Sequence, residues 1–177
     1  MRKIPNEELN RLTVEQFKTT NKNAFVVVLD NIRSMNNVGS VFRTCDAFLA
    51  EKIFLCGITP KPPHRDIQKT ALGATETVCW QYFQNTIDVV NMLKSNNYLV
   101  VSVEQVENSI NLNDFVPSKD NKYAFVFGNE IEGVDQQIVD LSDICIEIPQ
   151  FGTKHSLNIS VSVAIVVWDF IQKFTFK

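Results

Sequence analysis

The chain has 177 residues, 45% of them hydrophobic and 21% charged, with four cysteines and a net charge of −3. That length and apolar content suit one domain able to bury roughly 70% of its unfolded surface, so a second core is not expected. The acidic sum argues against a protein that coats nucleic acid through bulk charge, but residues 1–70 carry 11 Lys/Arg against 7 Asp/Glu and residues 71–177 carry 6 against 13. A basic face is therefore expected on the N-terminal part, with Arg33, Arg43, Lys61, His64, Arg65 and Lys69 among its candidates. The opening MRKIPNEELNRL lacks the apolar core of a secretion signal, and the run Val163 to Trp168 falls far short of the ~20 residues that span a bilayer. A cytosolic protein with no membrane partner is expected. Cys45, Cys56, Cys79 and Cys145 are widely spaced, form no CxxC and read as reduced, buried thiols, so no metal is implied.

Along the chain, Asn6 with Glu7 and Glu8 reads as the start of a short helix carrying Leu9, Leu12 and Phe17, so residues 1–22 are expected to form a helical arm. The β-branched run Ala24 to Leu29 predicts a first strand buried on both faces. Val38, Val41, Phe42, Cys45, Phe48 and Leu49 then recur at helical spacing. A second strand, Lys52 to Gly57, runs into TPKPPHRD, where prolines forbid regular structure, and a short helix is expected from Asp66 to Leu72. A strand over Val78 to Tyr82, a helix from Asn85 to about Ser95, and strands Tyr98 to Val103, Tyr123 to Phe127 and Ile144 to Ile148 follow. Six strands alternating with helices predict an α/β fold, a mainly parallel six-stranded sheet with helices on both faces. Beyond Asn158 the alternation of Ile159, Val161 and Val163 with serines fits a strand as well as a helix, and the length of the apolar segment favours a helix.

Two loops stand out as candidate site elements. The apolar runs ending in FGNEIEGVD and IPQFGTKHSLN each pass into a polar, glycine-bearing stretch, and such loops at the carboxyl ends of parallel strands hold small ligands in α/β proteins. Neither GxGxxG nor GxxxxGK[ST] is present, so the usual phosphate-loop signatures are missing.

Three segments, in order, resemble motifs 1, 2 and 3 of the SpoU/TrmH family of the SPOUT superfamily: NNVGSVFRTCDAF (Asn36 to Phe48), FVFGNEIEGVD (Phe125 to Asp135) and IPQFGTKHSLNISVSVAIVVWDF (Ile148 to Phe170). KTALGATETVCW (Lys69 to Trp80) is similar to the region between them. The resemblance covers about residues 24–172 and implies an RNA 2′-O-ribose methyltransferase that uses S-adenosylmethionine. It also implies a SPOUT domain over residues 23–177 with a C-terminal deep trefoil knot, a helical terminal segment and a homodimer, in which Trp168 and Phe170 would meet a partner. By the same resemblance Arg43 activates or stabilises the ribose oxygen, with Asn37, Glu130, Ser156 and Asn158 completing the catalytic set. Gly128, Ile148 and Leu157 would hold the cofactor, and the end of the fourth strand near Val103 would close its pocket. Lys154 and His155 match no fixed family residue. A compact form lacking the RNA-binding domain of some relatives is expected, with tRNA slightly preferred over rRNA as partner. The alternatives are a noncatalytic RNA-binding or assembly protein that keeps the knotted fold, and an α/β nucleotide-binding enzyme with a small-molecule substrate.

Overall fold

A computed structural model describes residues 1–175. Seven parallel strands form one sheet in the order β3-β2-β1-β6-β4-β7-β5, with β1 at Asn23–Asp30, β2 at Ala50–Cys56, β3 at Trp80–Phe83, β4 at Tyr98–Val103, β5 at Ile110–Asn111, β6 at Lys122–Phe127 and β7 at Ile144–Glu147. The expectation of six strands is corrected to seven. The added strand, β5, is a two-residue edge piece pairing Ile110 with Ile146 and Asn111 with Glu147, too short to leave a periodic signal.

Helices cover both faces: α2 (Met35–Ala47), α3 (Arg65–Ala71), α4 (Ala74–Thr77), α5 (Thr86–Ser95), α6 (Gln136–Leu141) and α7 (Ile159–Thr175). Strand β1 divides the core as its alternation requires. Phe25, Val27 and Leu29 pack in one cluster with residues of α2 and α7, while Val26 and Val28 join Val89, Val90 and Ile138 from α5 and α6. Burying each such side chain contributes about 1.5–3 kcal/mol. Cys45 and Cys56 lie within this core, and burial raises both thiols, that of Cys56 to about 12, which keeps them protonated and unreactive.

The terminal segment is a helix despite its β-branched content. Tertiary packing decides this: Val163, Val166, Val167 and Phe170 are buried, and the Phe170 ring sits 5.5 Å from Phe25, 5.3 Å from Tyr123 and 5.2 Å from Phe125, centroid to centroid. Phe170 therefore fills the chain's own core, whereas Trp168 stays 51% exposed beside Phe48. Near the end of α7, Lys173 pairs with Asp169 at 2.7 Å and donates to the Leu112 carbonyl at 2.6 Å, tying α7 to the segment after β5.

The N-terminal segment differs from the single helix expected there. Asn6–Glu8 form one 3₁₀ turn, and a separate helix, α1 (Val14–Thr19), starts at Thr13 through a capping box with Gln16. Phe17 alone of the three expected apolar residues is buried; Leu9 and Leu12 are exposed. No described helix is long and apolar enough to cross a membrane.

Candidate active site

The carboxyl ends of β4, β6 and β7 open into a cavity of about 320 Å³, a size usual for small-ligand sites. Its walls come from three stretches: Val103 to Gln105 at the end of β4, Phe127 to Gly133 at the end of β6, and, from the end of β7 onward, Glu147, Ile148, Gln150, His155, Ser156 and Leu157 with Ile159 and Ser162. Gly128, Glu130, Ile148, Ser156 and Leu157 line it, as does Val103. Ser156 and Leu157, adjacent in the loop after β7, both belong to the lining.

Asn37 and Asn158 join this group through hydrogen bonds. The Asn158 amide donates to Asn37 Oδ1 at 3.1 Å, and the Asn37 amide donates to Glu130 Oε1 at 2.7 Å. A carboxylate only accepts, so this chain of bonds fixes which way the Asn37 amide points. The roles at the helix starts are also settled. Ser34, not Asn37, caps α2, accepting from the Asn37 backbone N–H at 3.3 Å, which leaves the Asn37 side chain free to bridge. Asn158 does cap α7, its Oδ1 accepting from the Ser160 N–H at 2.9 Å and from the Ser160 hydroxyl at 2.7 Å. Asn158→Ala should cost about 1 kcal/mol through the lost cap and also release Asn37. Thermal unfolding checks the first effect, and an unchanged melting midpoint would show that the cap carries no stability.

Arg43 lies elsewhere on the single chain. Six residues beyond Asn37, it is turned about 120° around α2 from it. It is exposed, absent from the cavity lining, and lines a separate groove with Lys69 and Thr70 of α3. Glu130 thus bonds to Asn37 rather than to Arg43.

Sequence reasoning missed Glu104. Its Oε2 accepts from the Val134 N–H at 2.9 Å and its Oε1 from the Gln105 N–H at 2.9 Å, which staples the end of β4 to the loop after β6. Gln105 extends the staple, donating to the His155 carbonyl at 2.9 Å. Asn129, 5% exposed, shapes the same loop by accepting from the Ile131 and Glu132 N–H groups, each at 3.0 Å. Burial and the nearby Glu104 carboxylate together raise the Cys145 thiol on β7.

Gly128 has a role beyond admitting a ligand. A β-carbon there would overlap the Gly133 carbonyl and the Val134 nitrogen, so glycine is needed for the loop to fold back on itself. Gly133, at φ 72°, makes the return. The cavity is also strongly acidic: Glu104, Glu130, Glu132 and Glu147 line it, with His155 the one basic side chain among the lining residues. Such walls favour a cationic ligand over a phosphate-bearing one.

Residues 24–168 match the SpoU rRNA methylase family. The chain belongs to that family. SpoU-family proteins are RNA methyltransferases, and this one is 30% identical over 156 residues to an uncharacterized tRNA/rRNA methyltransferase of Borreliella burgdorferi, covering 88% of this chain and 67% of that protein. It is 27% identical to a tRNA (guanosine(18)-2′-O)-methyltransferase of the same organism, over 90% of this chain and 72% of the relative. Two solved structures share the fold. The A. aeolicus TrmH/SpoU tRNA modifying enzyme superposes with a TM-score of 0.79 at 24% identity, over 90% of this chain and 79% of its own. AviRb of Streptomyces viridochromogenes, solved in complex with AdoMet, gives 0.80 at 17%, over 90% of this chain and 64% of its own. The SpoU fold here is the seven-stranded parallel α/β sheet with the cavity at its carboxyl edge.

Proposed function

We propose that this protein is an S-adenosylmethionine-dependent methyltransferase acting on the ribose 2′-hydroxyl of tRNA or rRNA, with tRNA slightly preferred. The observation that carries the reading is the hydrogen-bonded bridge Asn158–Asn37–Glu130 at a cavity walled by Gly128, Ile148 and Leu157. Membership in the SpoU family and the 2′-O activity named for the 27% identical relative support it.

The acidic cavity fits the cofactor's charge, since S-adenosylmethionine carries a sulfonium and an ammonium group. The same walls disfavour the small-molecule nucleotide enzyme among the alternatives, because a phosphate would meet four carboxylates. Ile148 and Leu157 would clasp the adenine, and the backbone after Gly128 would supply its polar contacts. When bound, the cofactor supplies a methyl group on a positively charged sulfur. The chain's own residues then position the ribose: Asn37 and Glu130, held rigid by each other and by Asn158, orient the hydroxyl beside Ser156. Arg43 stabilises the negative charge that develops on the 2′ oxygen. A guanidinium is a donor with no lone pair to offer, so a phosphate or water, not Arg43, takes the hydroxyl proton.

The rest of the reading concerns assembly. Residues 1–22 form an arm docked through Phe17, and residues 23–177 form the methyltransferase domain. The segment between β4 and β6 touches both the loop after β7, through Gln105 and His155, and α7, through Leu112 and Lys173. These contacts support a C-terminal trefoil knot in which the chain beyond Ile148 threads that segment. Exposed Trp168 and the outer faces of α2 and α7 support a homodimer, which would bring Arg43 to a complete site. The enzyme would work in the cytoplasm, where its RNA resides.

Incubating the protein with labelled S-adenosylmethionine and total RNA from a strain that lacks it, then mapping the labelled nucleotide, tests the reading. Label is expected on a tRNA ribose. Cofactor binding by calorimetry without any labelled RNA would replace it with the noncatalytic RNA-binding alternative. The basic face has its own test: neutralising Lys61 with Arg65 should weaken RNA binding and flatten its salt dependence. Filter binding across a salt series that matches wild type would move that face elsewhere.

A further inference from the structure

The groove between α2 and α3 holds two cations without a partner in the described chain. Arg43 and Lys69 line it together, both exposed, and neither has an ion-pair or hydrogen-bond partner among the described residues. The groove measures about 480 Å³, and its remaining walls are hydroxyl or apolar groups, with no carboxylate among the lining residues. That absence stands out in a protein of net charge −3.

The pairing of the cations is built into the fold. Gly39 sits on α2 where α3 crosses it, and a β-carbon there would overlap the Ile67 carbonyl and the Thr70 hydroxyl. The two helices are joined at this crossing by the Thr70 hydroxyl, which donates to the Asn36 carbonyl at 2.9 Å. Thr70 is thereby fixed against the first turn of α2, and Lys69, its neighbour in the last turn of α3, lines the groove that Arg43 also lines from about two turns further along α2.

We propose that this groove is a docking site for an RNA phosphodiester, with Lys69 a substrate-positioning residue that holds the backbone next to the ribose served by Arg43. The inference rests on the RNA methyltransferase reading and adds to it the site and a residue for backbone contact. At the centre of the groove a polyanion fits better than the two-fold axis of a dimer, whose contact would run beside it through Trp168. A two-fold contact centred on it would set Arg43 and Lys69 against their own copies, like charge on like. Two exposed cations without internal partners, sharing a groove with hydroxyl side chains, instead suit contacts to a phosphate backbone.

The test is Lys69→Ala, with Lys69→Arg and Lys119→Ala as companions, read by tRNA filter binding over a salt series, S-adenosylmethionine calorimetry and sedimentation. Lys69→Ala should weaken RNA binding several-fold and make the log–log salt slope shallower by about 0.7–0.9, the loss of one phosphate contact. Lys69→Arg should restore the slope, Lys119→Ala should leave it unchanged, and cofactor affinity and mass should match wild type in all three. If wild type methylates tRNA but Lys69→Ala keeps its slope, the groove proposal falls and the enzyme reading stands. An equal loss from Lys119→Ala would show diffuse attraction and overturn the groove, and a drop in mass on Lys69→Ala would reassign it as a subunit contact. Wild-type protein that binds S-adenosylmethionine but no RNA would remove both readings.

Discussion

Arg43→Ala should lower turnover by roughly 10²–10⁴-fold while leaving S-adenosylmethionine affinity near its wild-type value. The structure sharpens the second half of that expectation. Arg43 does not line the cavity and has no hydrogen-bond partner among the described residues, so its removal deletes no wall of the cavity and breaks no hydrogen bond within them. Any loss must then appear in the chemical step, where charge gathers on the ribose oxygen. Removing one well-placed electrostatic stabiliser from such a centre typically costs about 2.7–4 kcal/mol. Single-turnover methylation of tRNA together with cofactor calorimetry separates the two quantities. Turnover within a few-fold of wild type would take Arg43 out of the mechanism. An equal fall in cofactor affinity would place its guanidinium at the cavity instead of at the substrate.

Gly128→Ala should be the most damaging single methyl addition in the chain. The new β-carbon would meet the Gly133 carbonyl carbon and oxygen and the Val134 nitrogen, all of them backbone atoms. None is free to move away. The Gly133 N–H is bonded to the Asn129 carbonyl at 2.9 Å, and the Val134 N–H is held by Glu104 at 2.9 Å. Overpacking against atoms that cannot yield should cost more than about 3 kcal/mol, lowering the urea midpoint by at least about 1 M. Cofactor binding should fall with it, because the same turn forms a wall of the cavity. A wild-type midpoint with wild-type cofactor affinity would mean that the turn opens more readily than its hydrogen bonds imply.

Strands were readable wherever a run of β-branched residues is buried on both faces. The expected Ala24 to Leu29 became Asn23–Asp30, and Tyr98 to Val103 matched β4 at both ends. Strand β5 was not readable, because two residues carry no alternation and owe their conformation to β7. At the N-terminus, Asn6 and its acidic neighbours drew attention from Thr13 and Gln16, a capping-box pair that was visible in the sequence and starts the real helix. The loop residues of the site were legible because motif order placed them after buried strands. Glu104 was not, since its partner Val134 lies thirty residues on and only the folded sheet brings them together. The six-residue gap between Asn37 and Arg43 already implied different helix faces, so the separation of Arg43 from the cavity could have been worked out from spacing alone.

The strand order has a consequence for how the chain must be made. Strand β4 is bonded only to β6 and β7, both of which are encoded after it. A ribosome that has released the first 121 residues has delivered β1 to β3, which can pair among themselves, together with an apolar β4 that has nowhere to go. The open side of β1 waits for β6 over the same interval. Until Phe127 emerges, the nascent polypeptide therefore presents bare β1 and β4 edges rich in valine and leucine, and β4 keeps one open side until Glu147 follows, the kind of surface that recruits chaperones or joins neighbouring chains.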